Sequence, residues 1–422
     1  MRFKWFKKIW ASALLAITPA IAYAQPAEDL TQAWFYASSE TDRTIQHSAL
    51  QSASKTDNTA MFGLGAVQFF AAIEGFSQDM LKYGLASHDN ELRALLPLPL
   101  PHNAAPDTLT YEGLRQALVD FETELENARA TLASVDTNEP VAISINFANA
   151  RFNITGQQSI PNEQSFVGLI AGAQSMTTGT NAVPADQELN FRFDNADAIW
   201  LEGYANVILS QVDFLLAHDF SRTFDASFHL FFPKSNLPLQ EDLIPNGYEG
   251  RGGMFGHEGM IADAISFIHL LDWPVVESER RADFARHMTE VARLSRANWA
   301  AITAETDNAN EWLPGPQQPG IHPLTGIEVT QEMVDGWMQS MDLLEAVMAG
   351  KRLVPHWRFE GRGLNLKSYF ESTDNFDPVL LLTGPGALPY LQEGDIITQQ
   401  EWRAIQNLLG RRNFGMVAAW FN

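Results

Sequence analysis

Apolar residues recur in this chain at two periods, and the switch between them predicts most of the architecture. From Thr59 to Leu85, Met61, Leu64, Val67, Phe69, Phe70, Ile73, Phe76 and Met80 fall at helical spacing. From Leu109 to Val135, Leu114, Leu118, Phe121, Leu125 and Leu132 line one face, with acids elsewhere. Both segments predict amphipathic helices. Between them, "LLPLPLPHNAAPD" predicts a linker, because proline lacks the donor a helix needs and its ring clashes with the preceding turn. The polar stretch Gln25 to Asp57, with a Trp34-Phe35-Tyr36 patch, predicts a short helix and a loose lead-in.

The period then falls to two. Val141, Ile143, Ile145 and Phe147 alternate with small or polar residues, "ARFNITG" continues the alternation, and "ELNFRF" repeats it. These segments predict two or three short antiparallel strands with one buried face. The Gly, Ser, Thr and Gln-rich stretch between them, broken by "FVGLIAGA", predicts a loop with one short helix.

Helical spacing returns after Asp194, which can cap a helix from Ala196 to about Ala217. Further helices are predicted over Met254 to Leu271, over Glu279 to Glu305 with Ser278 as cap, and over Gln331 to Ala349 with Thr330 as cap. Thr398 and Glu401 form a capping box for a last helix to Leu409. The expected fold is mainly α with a small antiparallel β element (α+β), one helix-rich body, with solenoid-like helix pairs left open. The parts are residues 25–135 (helical), 136–193 (a small β-containing insertion) and 194–422 (helical).

Residues 1–24 read as a signal peptide. Arg2, Lys4, Lys7 and Lys8 precede a mostly apolar run from Ile9 to Ile21, and Ala22-Tyr23-Ala24 places small residues where a signal peptidase reads. The apolar run is shorter than the roughly 20 residues that span a bilayer, so cleavage is expected over an uncleaved anchor. No later stretch is expected to span. The protein is therefore expected in the periplasm or outside the cell, with no integral membrane segment once the signal is removed.

The chain has no cysteine, which excludes disulfides, thiolate metal sites and Cys nucleophiles. It carries 28 Lys+Arg against 51 Asp+Glu. Removing the four basic residues of the signal leaves 24 against 51, a net charge of −27. No nucleic-acid partner is expected of so acidic a surface.

Three constellations are candidates for chemistry. The first surrounds the glycine-rich "GYEGRGGMFGHEGMIADAISFIHLLDWP", Gly247 to Pro274. It matches neither a zincin helix, because Ile261 stands where a second His is required, nor a phosphate-binding loop. Together with "FSRTFDASFHLFF" it supplies Asp225, His229, His257, Glu258 and Asp263, residue types suited to a divalent metal such as zinc. Asp225 and His229 share a face if helical. In a hydrolase reading, His257 and Glu258 are the catalytic candidates and Glu258 the base; in the structural reading, His229 is a hydrogen-bonded core-edge histidine.

The second constellation is "GKRLVPHWRFEGRGLNLK". Arg352, His356, Arg358 and Arg362 can hold an anion, and Trp357 can stack on a ring. The alternative is internal neutralisation of the acidic body. The third is the oxygen-rich turn with Glu305, Asp307, Asn308, Asn310 and Glu311. It suggests calcium, but Ala309 stands where the EF-hand pattern requires an oxygen.

The stretches "LSRANWAAITAETDNANEWLPGPQQ", "GKRLVPHWRFEGRGLNLKSYF" and "FDPVLLLTGP" resemble parts of exported bacterial proteins that carry no assigned function. The resemblance covers roughly the last third of the chain and implies no activity and no catalytic residue. Two functions are expected: a soluble periplasmic or secreted, envelope-associated binding protein for a small anionic or sugar-like ligand, or a metal-dependent hydrolase with a His/carboxylate site.

Overall fold

A computed structural model describes residues 26–85, 100–169, 189–235, 237, 258–305, 310–318, 320–408 and 421, leaving aside the side chains of 258–260 and 405–408. The expected signal peptide, residues 95–99 of the Pro-rich linker and the glycine-rich loop through His257 lie outside the described residues.

The chain folds as a helix-rich body with small antiparallel sheets, as its periodicity predicts. The first helices are α1 (Ala27–Tyr36), α2 (Glu40–Ala53), α3 (Asn58–Lys82) and α4 (Tyr111–Leu132). Next come β1 (Ile143–Asn146), β2 (Asn190–Phe193), α5 (Asn195–Ala217), α6 (Ser221–Ser227), α7 (Glu258–His269), β3 (Trp273–Pro274) and α8 (Glu279–Ala304). The rest comprises α9 (Gln331–Met348), β4 (Val354–Pro355), β5 (Gly363–Leu364), α10 (Leu366–Ser372), β6 (Asn375–Phe376), α11 (Pro378–Thr383), β7 (Leu391–Gln392) and α12 (Gln399–Leu408). The long helices α3, α4, α5, α8 and α9 pack in sequence, each against the next, and α1 and α2 close over α3.

Local chemistry accounts for the boundaries. Asp57, Thr110 and Thr330 accept from the backbone N–H groups of Ala60, Gly113 and Met333, and Asp194 and Asp197 form a reciprocal capping box. The box at Thr398 and Glu401 also forms. Ser278 precedes α8, but its side chain caps nothing.

Three expectations need correction. Residues 25–57 hold two helices rather than one and a loose lead-in. Arg43 fastens α2 to the core: its guanidinium is buried, pairs with Glu74 at 2.6 Å, donates to the Arg151 carbonyl and lies 4.2 Å over the Trp34 ring. An anchor made of charge leaves no apolar stripe, so periodicity misses it. "ARFNITG" is not a strand. Its donors go elsewhere, the Asn153 N–H to Glu74 and the Phe152 N–H to Gln164. Finally, α3 is long and apolar enough to cross a membrane by length and composition, contrary to the expectation that no later stretch is. In the structure it is a core helix. Gly63 and Gly65 let it approach closely, since a Cβ there would stand 2.2 Å from Thr31 Oγ1 and 2.7 Å from Leu132.

The main core runs from Ala27 to Leu237. A second centres on Trp299 and Trp337, and Trp200 and Trp312 pack against both.

Candidate functional site

The ribbon pairs Ile143 with Phe193 and Ile145 with Phe191, and the alternation in β1 and β2 turns Ile143, Ile145 and Phe193 toward a shared space. Facing it, α3 brings Phe62, Phe69 and Phe70, and α5 brings Trp200, Leu201 and Tyr204. Side chains of this size do not fill the space. They enclose a cavity of about 280 Å³, close to the ~300 Å³ at which ligand pockets begin.

The walls are aromatic and interlocked. Phe70 stands 5.3 Å from Phe35 and 5.5 Å from Phe152; Phe147 stands 4.5 Å from Phe166 and 5.7 Å from Trp312. Trp200 stands 5.2 Å from Tyr204 and 6.0 Å from Trp312. Among the described lining residues, the polar groups are Thr31, Asp197, Tyr204 and the tryptophan N–H groups. The Thr31 hydroxyl is taken by the Ala27 carbonyl. The Tyr204 phenol is held above its usual range by burial.

Asp197 is the carboxyl of this cavity. It sits in the first turn of α5 because the capping box requires an acceptor there, and its Oδ2 accepts the Asp194 N–H at 2.9 Å. Burial pushes it well above the usual carboxylate range, and Asp194, Glu311 and Glu305 push it further. Ligand oxygens of Asp194, Glu305 and Glu311 lie within 4.8 Å of one another. Among the described residues, Arg192 Nη1 stands 3.6 Å from Asp194 and 3.8 Å from Glu311. Acidic side chains therefore gather beside Asp197, at one side of the aromatic cavity. Nearby, His322 stacks on Phe191 at 5.2 Å, and burial pushes its imidazole down to about 4.

The sequence singled out Glu305 and Glu311 for the oxygen-rich turn, but Asp194 only as a cap and Asp197 not at all. Asp307 and Asn308 lie outside the described residues.

Of the His/carboxylate set, His229 and Asp263 meet, with Nε2 3.5 Å from Oδ2. Both are buried, and neither ring nitrogen of His229 has a hydrogen bond. Asp225 does not join them. Helix α6 stops at Ser227 and a tighter turn carries His229 inward, leaving Asp225 exposed. His257 lies outside the described residues, and Glu258 opens α7.

The basic stretch is engaged internally. Arg352 pairs with Asp395 at 3.3 Å and Glu401 at 2.9 Å. His356 Nε2, Trp357 Nε1 and Arg358 Nη1 meet the carbonyls of Leu381, Leu382 and Thr383 at 3.0, 2.8 and 2.6 Å. Three consecutive side chains thus cap the C-terminal end of α11, where unpaired carbonyls concentrate partial negative charge. Arg362 lies 5.8 Å over the Phe359 ring.

A scan against protein-family models finds no match, and searches of curated proteins and of solved structures find none either.

Proposed function

We propose that the chain is an exported binding protein whose aromatic cavity takes a small apolar molecule bearing one amino group. The carrying observation is the pairing of an aromatic-walled 280 Å³ cavity with Asp197 and its three acidic neighbours. Aromatic faces attract a cation as well as an apolar body. The acids supply the counter-charge and select against an anion. The expected small ligand therefore carries the opposite charge to the one anticipated at residues 352–362. Burial favours the neutral form of Asp197; an amine arrives as its ammonium, pairs with the carboxylate, and the Asp197 proton is released to solvent. Binding therefore weakens as pH falls.

Calorimetric titration with 2-phenylethylamine, 2-phenylethanol and 3-phenylpropionate tests this. The amine should bind at least tenfold more tightly than the alcohol, and the acid least. Asp197→Asn should bring amine and alcohol together. Tighter binding of the acid, or no binding of any of the three at millimolar concentration, overturns the proposal.

A second reading, a metal-dependent hydrolase, draws support from the buried His229–Asp263 pair and its unbonded ring nitrogens. A divalent ion there would activate water. Elemental analysis should then find about one ion per chain, lost in His229→Ala. Metal-free native protein, unchanged in stability by chelator, ends that reading.

A further inference from the structure

Helix α3 presents a different surface on its other side. Ala71, Ala72 and Gly75 form a low floor, flanked by Thr44 and His47 of α2 and by Glu124 and Asn127 of α4. The small floor residues leave a groove of about 480 Å³. Beneath it lies the Arg43–Glu74 ion pair.

Hydrogen-bonding capacity in this groove is unspent. His47, Gln68, Glu124 and Asn127 all line it, and among the described residues none of their side chains makes a hydrogen bond or ion pair. Two polar atoms here are buried as well as unbonded, Gln68 Oε1 and Arg43 Nε. Leaving a buried polar atom without a partner costs about 1–3 kcal/mol, a cost a ligand removes when it binds. The same four side chains include no fixed charge besides Glu124. Partial burial lowers the His47 imidazole, and partial burial with Asp120 and Asp79 raises the Glu124 carboxyl, so both shift toward their neutral forms. Gln68 and Asn127 carry no charge at all. The guanidinium that would attract an anion is already held by Glu74.

We propose that this groove binds a neutral, polyhydroxylated ligand of the saccharide class, whose hydroxyls both donate and accept along α2, α3 and α4. A sugar hydroxyl can donate to Gln68 Oε1 and accept from Asn127 Nδ2, and the two walls stand on different helices, which favours a ligand with several hydroxyls over a simple alcohol. The site is independent of the aromatic cavity, which lies against the opposite face of α3.

Isothermal titration of the full chain with glucose, N-acetylglucosamine and maltose, with citrate as the anionic control, tests the proposal. At least one saccharide should bind, and citrate should not compete with it. Gln68→Met keeps the side chain's size while deleting the unbonded acceptor. It should raise thermal stability and weaken the saccharide three- to tenfold, the worth of one neutral hydrogen bond. Asn127→Ala, on an exposed position, should weaken it similarly without changing stability. Thr44→Trp should fill the groove and abolish saccharide binding while leaving 2-phenylethylamine binding in the cavity intact. No heat from any saccharide, binding unchanged in Thr44→Trp, or displacement by citrate overturns the assignment.

Discussion

Between Lys351 and Lys367, six basic side chains fall within seventeen residues, whereas the cavity draws its walls from residues scattered between Thr31 and Trp312. In sequence the first looks like a binding site and the second like ordinary core. The structure engages the first internally and leaves open space within the second. Arg352, His356, Trp357 and Arg358 each have a partner within the protein. Around the cavity, large rings pack against one another and still leave room, with a buried acid at one end whose neutral form burial favours. Dense chemistry along a chain does not make a site if the fold has already satisfied it. Unfilled space and unspent hydrogen-bonding groups are better markers, and both depend on three-dimensional packing.

The sharpest way to break the comparison is to enlarge the cavity wall. Phe147 is buried and packs against Phe166, Phe191, Phe193 and Trp312. Phe147→Ala should cost about 3–5 kcal/mol in urea unfolding, as buried aromatic truncations do. A much smaller loss would mean that the cavity wall can collapse, and so is not a built pocket.

Next in size is the pH dependence of the same region, where two groups act with opposite sign. His322 has its folded value pushed down from 6.5 to about 4, so the folded state holds fewer protons than the unfolded one between those values. Its contribution is present above pH 6.5 and is lost as pH falls toward 4, a change of at most about 3 kcal/mol. Asp197 has its folded value raised, so stability falls as pH rises above its ordinary 3.8. His322→Asn should therefore flatten the acid limb of the stability curve, and Asp197→Asn should lift the neutral limb. Denaturant titrations across pH 4 to 8 read both, and parallel curves for wild type and His322→Asn would contradict the assignment to His322.

Periodicity made most of the long helices legible, and cap residues placed several of their ends, because burial and end-satisfaction are local in sequence. The ribbon β1–β2 was legible for the same reason. The two-residue strands between Trp273 and Gln392 were not, since pairs such as Val354 with Leu364 and Leu364 with Leu391 leave no alternation to detect. His229 and Asp263 were legible as residue types but their meeting was not, because it depends on α6 stopping at Ser227 and a tighter turn carrying His229 inward. Asp197 gave no signal. An acid in the first turn of a helix is ordinary dipole chemistry, and only the approach of Glu305 and Glu311 from distant sequence turns it into part of a site.

The smallest effect is expected where the sequence looked most promising. Arg358 is exposed, and its guanidinium holds the Thr383 carbonyl at the end of α11. Solvent competes for such a bond, so Arg358→Ala should cost only about 1 kcal/mol or less. The loss arises from an uncapped helix end rather than from an acid deprived of its counter-charge, so it should change little with salt. Arg358→Lys should restore part of it, because an ammonium can still reach a carbonyl. If the stretch instead binds anions, phosphate or citrate should raise the melting temperature of the wild type and fail to do so in Arg358→Ala. Equal melting curves with and without these anions, in both proteins, would complete the contrast: the basic stretch joins β4, β5 and α11 into one unit, and ligand binding belongs to the cavity. A stabilising shift confined to the wild type would return an anion site to residues 352–362 and remove the contrast altogether.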